Sequence, residues 1–301
     1  MSFVEEYFRF IHTLNHRLDN LTLKLGSSNG KQRILYKAIW KSDYRQVQKI
    51  LTAGYSKIEN DMKALEKAAA KGDLGIVQLL LDYGCIPKDR KSKALDLAVL
   101  KGHTDIALLL IEWGVEYRGR NQYNETLLYV AACGNHVAMI EKLVQLGCDM
   151  NETTRTWTPL HVTTQRNHTE SLLCLLRHGA DPNVTNVDHH TPLDMAVCQE
   201  SFENVRYLLF AGAKVNIQHI YSLPGVQQVF QRNPEILMLL NENSRQPPPL
   251  IELCRIAIRQ GLGQQVMFVF RSLPLPKILQ QYIAMLDILV KPKARSRATS
   301  C

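Results

Sequence analysis

At 301 residues with 46% hydrophobic content, the chain has the apolar material for a sizeable core, which excludes wholesale disorder. No apolar run reaches the roughly eighteen residues that a membrane span requires, and Glu5, Glu6 and Arg9 interrupt any signal-peptide core, so a cytoplasmic location, with the nucleus as a second compartment, is expected. The net charge of +8 invites a nucleic-acid reading, but Lys291, Lys293, Arg295 and Arg297 carry half of that excess in a polar tail, residues 291–301, which is expected to be disordered and matches no nucleic-acid fold.

In chain order the first predicted element is an amphipathic helix within residues 1–30. Phe3, Tyr7, Phe10, Ile11, Leu14, Leu18 and Leu21 fall at helical spacing. The segment reads as a cap over the neighbouring helices, or as an arm that binds a partner.

Residues 31–217 form an internal repeat. Leu35, Leu65, Leu95, Leu128, Leu160 and Leu193 open successive helices, and Gly54, Gly84, Gly114, Gly147, Gly179 and Gly212 close successive units. Both series step by 30, 30, 33, 32 and 33 residues. Each unit offers a short helix rich in small residues, such as Ala68-Ala69-Ala70, then an apolar helix such as Ile76-Val-Gln-Leu-Leu-Leu81, then glycine as a left-handed cap. One such pair cannot bury its apolar face, so stacking of neighbours is required. The period, with Thr158-Pro-Leu-His161 and Thr191-Pro-Leu-Asp194, resembles the ankyrin repeat. The first three units lack that tetrapeptide, and their shorter steps imply abbreviated loops. Residues 218–246 read as a degenerate seventh unit and linker, with Leu223-Pro224 where its first helix opens and Ile236–Leu240 in its second.

Residues 247–290 carry the most specific signal. Leu250, Cys254 and Ile258 recur every fourth residue, which aligns them along one face of a helix whose start is set by Pro247-Pro248-Pro249. Leu253, Ile256 and Ala257 are expected to pack within the domain, leaving that stripe for another protein. Downstream, Leu273-Pro274-Leu275-Pro276 is a stiff, extended segment whose two leucines can act as anchors. In order and spacing the two elements resemble the SOCS box over roughly Pro248 to Val290. The resemblance implies a three-helix box that binds elongin C and elongin B through Leu250, Cys254 and Ile258, and cullin-5 with its RING partner through Leu273, Pro274, Leu275 and Pro276.

Other candidates are less specific. Aromatic and arginine side chains on positions the fold does not require are the types that dominate interfaces, which singles out Trp40, Tyr117, Arg118, Arg120, Tyr123, Arg155 and Trp157 as a surface for an unidentified protein substrate. Lys41, Lys71, Lys101 and Arg166 share one repeat position, with Lys37 and Lys67 a turn earlier; they form a basic stripe or simply complement helix ends. His161 is expected to bond within and between repeats. Seven cysteines without a Cys-x-x-Cys pair suggest neither a disulfide framework nor a zinc site. No nucleophile elbow or phosphate loop is present, so no catalysis, cofactor or metal is expected.

The chain therefore reads as all-α, an ankyrin-repeat solenoid of six repeats plus a degenerate seventh followed by a SOCS box. It resembles the ankyrin repeat and SOCS box family of substrate receptors, which implies the substrate-recognition subunit of an elongin B/C–cullin-5 ubiquitin ligase. A non-ligase ankyrin scaffold or inhibitor, and a basic nucleic-acid-associated adaptor, are the rivals.

Overall fold

The computed structural model describes residues 28–55, 58, 61–87, 92–154, 157–245, 250–262, 276, 277, 279 and 280. The N-terminal amphipathic helix and the basic tail expected from the sequence lie outside these residues, apart from 28–30. The described elements are sixteen α-helices that fall into two compact units, residues 1–123 and 124–301.

The first unit holds three helix pairs: α1 (Ser28–Trp40) with α2 (Tyr44–Thr52), α3 (Met62–Lys71) with α4 (Leu74–Asp82), and α5 (Lys93–Lys101) with α6 (Thr104–Glu112). Inner helices α1, α3 and α5 stack on one another, as do outer helices α2, α4 and α6. The small residues decide which helices go inside. Ala38, Ala68, Ala69 and Ala98 are wholly buried and let adjacent inner helices approach closely, while Ile76, Val77, Leu80 and Leu110 fill the layer beneath. Each such buried aliphatic contributes roughly 1.5–3 kcal/mol relative to exposure.

The second unit begins with α7 (Leu127–Cys133) and α8 (Val137–Gln145), α9 (Pro159–Gln165) and α10 (Thr169–Arg177), and α11 (Pro192–Cys198) and α12 (Phe202–Phe210). Its inner and outer helices stack in the same two rows. All six helix-opening leucines of the repeat are buried, and all six closing glycines have positive φ. A side chain in that left-handed region is strained, which is why glycine holds the position.

Where the tetrapeptide is present, it caps. The Thr158 and Thr191 hydroxyls each accept from the backbone N–H three residues on, and His161 and Asp194 bond back to the cap, closing a capping box. The Thr158 N–H donates to His161 Nδ1 at 3.3 Å, so Nε2 carries the proton and donates to the His190 carbonyl at 3.1 Å, linking the fifth repeat to the sixth. The second repeat, lacking the tetrapeptide, uses a different joint. Buried Asp61 accepts from the Tyr36 hydroxyl at 2.6 Å, the Tyr55 hydroxyl at 2.8 Å and Gln32 Nε2 at 3.1 Å.

Beyond Gly212, α13 (Ile217–Ser222) precedes α14 (Val226–Arg232) and α15 (Pro234–Arg245). Helix α14 stacks on α11 and α15 on α12, which makes them the inner and outer helices of the seventh repeat. The inner helix opens at Val226 rather than at the expected Leu223, because Pro224 and left-handed Gly225 form the turn that precedes it. Ile236 and Leu240 are fully buried. Glu200, at the inner turn of the sixth repeat, accepts from Arg232 Nη1 and Asn233 Nδ2, each at 2.8 Å, and so ties the seventh repeat down.

Candidate functional site

The apolar stripe at the C-terminus lies on α16 (Leu250–Leu262), and two arginines fix how that helix is presented. Arg255 is 1% exposed; its Nη2 donates to the Phe210 carbonyl at 2.6 Å and its guanidinium stands 3.3 Å from the centroid of the Phe210 ring. One turn later Arg259, 6% exposed, donates from Nη2 to the Leu176 carbonyl. Phe210 and Leu176 lie in the last turns of α12 and α10, where the helix dipole is negative; the Leu176 carbonyl also accepts from the Gly179 N–H at 3.1 Å. The two guanidiniums therefore cap two outer helices at once. Burial, and then the like charge of Arg255, pulls the Arg259 guanidinium down to about 10. Between them Ile256 is half-buried, and it comes so close to Gly212 that a β-carbon there would meet its Cγ2 at 3.0 Å.

The opposite face of α16 is open. Cys254 is an exposed free thiol and Ile258 is 39% exposed. Leu250 is the first residue of the helix, and its side chain lies outside the described residues. Ala257, expected to pack inside, is exposed. At 3.6 residues per turn it falls only about 20° from Leu250 around the helix, so it widens the outward stripe instead of leaving it. The inward face is built by Arg255 and Arg259 together with Ile256. The spacing of four between the two arginines was a visible sign of a shared face.

Of the Leu273-Pro274-Leu275-Pro276 segment, only Pro276 is among the described residues. It is exposed, and its carbonyl accepts from the backbone N–H of Leu279 at 2.9 Å and of Gln280 at 3.1 Å, so a helical turn starts there.

Comparison with known sequences bears on these two regions separately. An ankyrin-repeat family model matches residues 35–121 and 127–219, and a SOCS box model matches residues 246–284. The chain belongs to the ankyrin repeat and SOCS box family. Among its relatives, Ankyrin repeat and SOCS box protein 5 of Mus musculus is 28% identical over 158 residues, 52% of this chain and 38% of the relative. Ankyrin repeat and SOCS box protein 11 of Mus musculus is 27% identical over the same shares, and Ankyrin repeat and SOCS box protein 16 of Mus musculus is 28% identical over 54% of this chain and 46% of the relative. The chain thus matches less than half the length of these relatives.

The remaining candidates of this family member are scattered over the repeats. Trp40, at the end of α1, is 79% exposed and lies under the Lys71 ammonium, which is 5.7 Å from its ring centroid. Tyr117 is half-buried with the Arg118 guanidinium 5.5 Å over its ring; Arg120 is half-buried and Tyr123 exposed in the same loop of the first unit. Trp157 is half-buried and pairs with Thr154 through two reciprocal backbone hydrogen bonds of 2.8 Å. Arg155 lies outside the described residues. Among the described residues no helix is long and apolar enough to cross a membrane, and no cluster of His, Cys, Asp and Glu could hold a metal ion.

Proposed function

We propose that this chain is the substrate-recognition subunit of a cullin-RING ubiquitin ligase, in which the repeats hold a target protein and the SOCS box recruits elongin B/C and cullin-5 with its RING partner. One observation carries the reading: Arg255 and Arg259 lock α16 onto the ends of α10 and α12, while Cys254, Ala257 and Ile258 remain turned away from the repeats. A helix held this way offers a small-and-aliphatic ridge to a partner's groove without first having to order itself, which lowers the entropic cost of binding. Leu250, Cys254 and Ile258 are the proposed elongin contacts, and Leu273, Pro274, Leu275 and Pro276 the proposed cullin contacts. Ubiquitin transfer is then the chemistry of other subunits, and this chain contributes proximity. We assign the box to residues 247–290, after the repeat array of 31–217 and the degenerate seventh unit and linker of 218–246.

The reading is tested by co-expression with elongin B/C and either cullin-5 or cullin-2. Leu250→Ala with Cys254→Phe should abolish elongin co-purification while the repeats stay folded, because alanine removes an apolar anchor at the start of the helix and phenylalanine overfills the contact. Replacing residues 273–276 by alanine should release cullin-5 and keep elongin. Undiminished elongin binding by the double variant, or tighter binding of cullin-2 by the wild type, would overturn the assignment.

A further inference from the structure

The inner helices of the first unit carry a pattern the SOCS box does not explain. Corresponding positions at the C-terminal ends of stacked α1, α3 and α5, with Lys41 just past the end of α1, make two adjacent rows. One is apolar: Trp40, Ala70 and Leu100, with Trp40 79% and Leu100 46% exposed. The other is basic: Lys41, Lys71 and Lys101, all exposed. On the far side of the apolar row, Lys37 and Lys67 are also exposed, and the Lys67 ammonium lies 5.3 Å from the Tyr36 ring centroid. Between α1 and α3 the rows enclose a cleft of about 390 Å³ lined by Tyr36, Ile39, Trp40, Lys67, Ala70 and Lys71.

Three physical points decide what fits. An exposed indole is costly unless something covers it, and its neighbour Lys71 is already drawn to its face and to the Trp40 carbonyl. Among the described residues none of Lys37, Lys41, Lys67, Lys71 and Lys101 forms an ion pair with a carboxylate. The rows run across the helices, so a ligand must extend over successive repeats and present apolar and negative groups side by side. An extended chain does this through the alternation of its side chains.

We propose that this face binds an extended acidic peptide segment of a partner protein, one large apolar side chain seated over Trp40 and its Asp or Glu carboxylates paired with Lys41, Lys71 and Lys101. Calling that partner a ubiquitination substrate rests on the function proposed above. The peptide contact does not involve α16, so the two readings fail separately.

The test uses the full chain and a short fluorescein-labelled peptide alternating Glu with Leu and Phe, read by anisotropy. A counterpart with Lys for Glu and a single-stranded oligonucleotide of similar length serve as comparison probes. The wild type should bind the acidic peptide, more weakly as salt rises, and should bind the lysine counterpart far less. Trp40→Ala should weaken binding by about tenfold, and a combined Lys41→Glu, Lys71→Glu and Lys101→Glu variant by more, with elongin binding unchanged in both. The proposal is overturned if the acidic peptide does not bind, if Trp40→Ala and the triple variant bind it as tightly as the wild type, or if the oligonucleotide binds more tightly than the peptide. The last result would make the lysines a general polyanion surface.

Discussion

Arg255 both donates to the carbonyl of Phe210 and stacks its guanidinium on the Phe210 ring, so one residue of the repeats is held twice by one residue of the SOCS box. Arg255→Met keeps the length and apolar stem but removes the charge and the donors. It should weaken docking of α16 by about 1.5–3 kcal/mol, the range of a charge-assisted hydrogen bond. Hydrogen exchange should speed up by tenfold or more over residues 250–262 and stay unchanged over α9 and α11.

Gly212 makes the same junction from the other side. Its φ is +96°, and a β-carbon would strike Ile256 at 3.0 Å. Gly225, at φ +78°, shares the conformational cost of an added side chain but faces open space. Gly225→Ala should therefore cost about 1 kcal/mol, and Gly212→Ala clearly more. Adding Ile256→Ala to Gly212→Ala should recover part of the difference, which urea unfolding of the three variants and the wild type would measure.

Asp61 organises the first two repeats. Asp61→Ala would orphan the Tyr55 hydroxyl in the interior and strip Tyr36 of its acceptor, at about 1–3 kcal/mol for each buried group left unsatisfied. Burial, then the hydrogen bond to Asp61, raises both tyrosines well above the ordinary phenol range. A raised folded value means stability is complete below about pH 10 and is lost as pH climbs through it. Tyr129 is also raised by burial, so spectrophotometric titration should show several tyrosines ionising late in the wild type and two fewer of them late in Asp61→Ala.

His161 gives the opposite sign. Burial lowers its imidazole below the ordinary value, an effect that the hydrogen bond to His190 and the charge of Asp194 only partly offset. The unfolded chain takes up its proton near pH 6.5 while the folded chain resists it, so stability is present above that pH and falls as pH drops through the folded value. His161→Gln should be less stable than the wild type at about pH 7.5, with a smaller further loss between about pH 7 and 5. Denaturant midpoints at the two pH values check it.

How much of this was legible depended on what repeats. The leucine and glycine series are enforced at every unit, by burial in one case and by left-handed backbone in the other, so the fold could be read from spacing. The Tyr36–Tyr55–Asp61 joint occurs once, between residues up to 25 positions apart, and leaves no local pattern. Arg255 and Arg259 carry no inward signal in the sequence because charged side chains on a helix ordinarily face water; here the helix-end carbonyls of Phe210 and Leu176 draw them inside. Ala257 was expected inside as an apolar residue off the four-residue stripe, yet it is exposed beside that stripe. Trp40 could be named as a candidate, but its exposure depends on how α1 meets α3, which a single repeat does not encode.

The central claim is that the outward face of α16 is an elongin contact, and two thiols of the same chain test it together. Cys254 on α16 and Cys198 at the end of α11 are both exposed. Alkylation by iodoacetamide, followed residue by residue with mass spectrometry, should label both in the isolated chain. Saturating elongin B/C should protect Cys254 strongly and leave Cys198 labelled at its original rate. Labelling of Cys254 at an unchanged rate in the presence of elongin B/C would contradict the account.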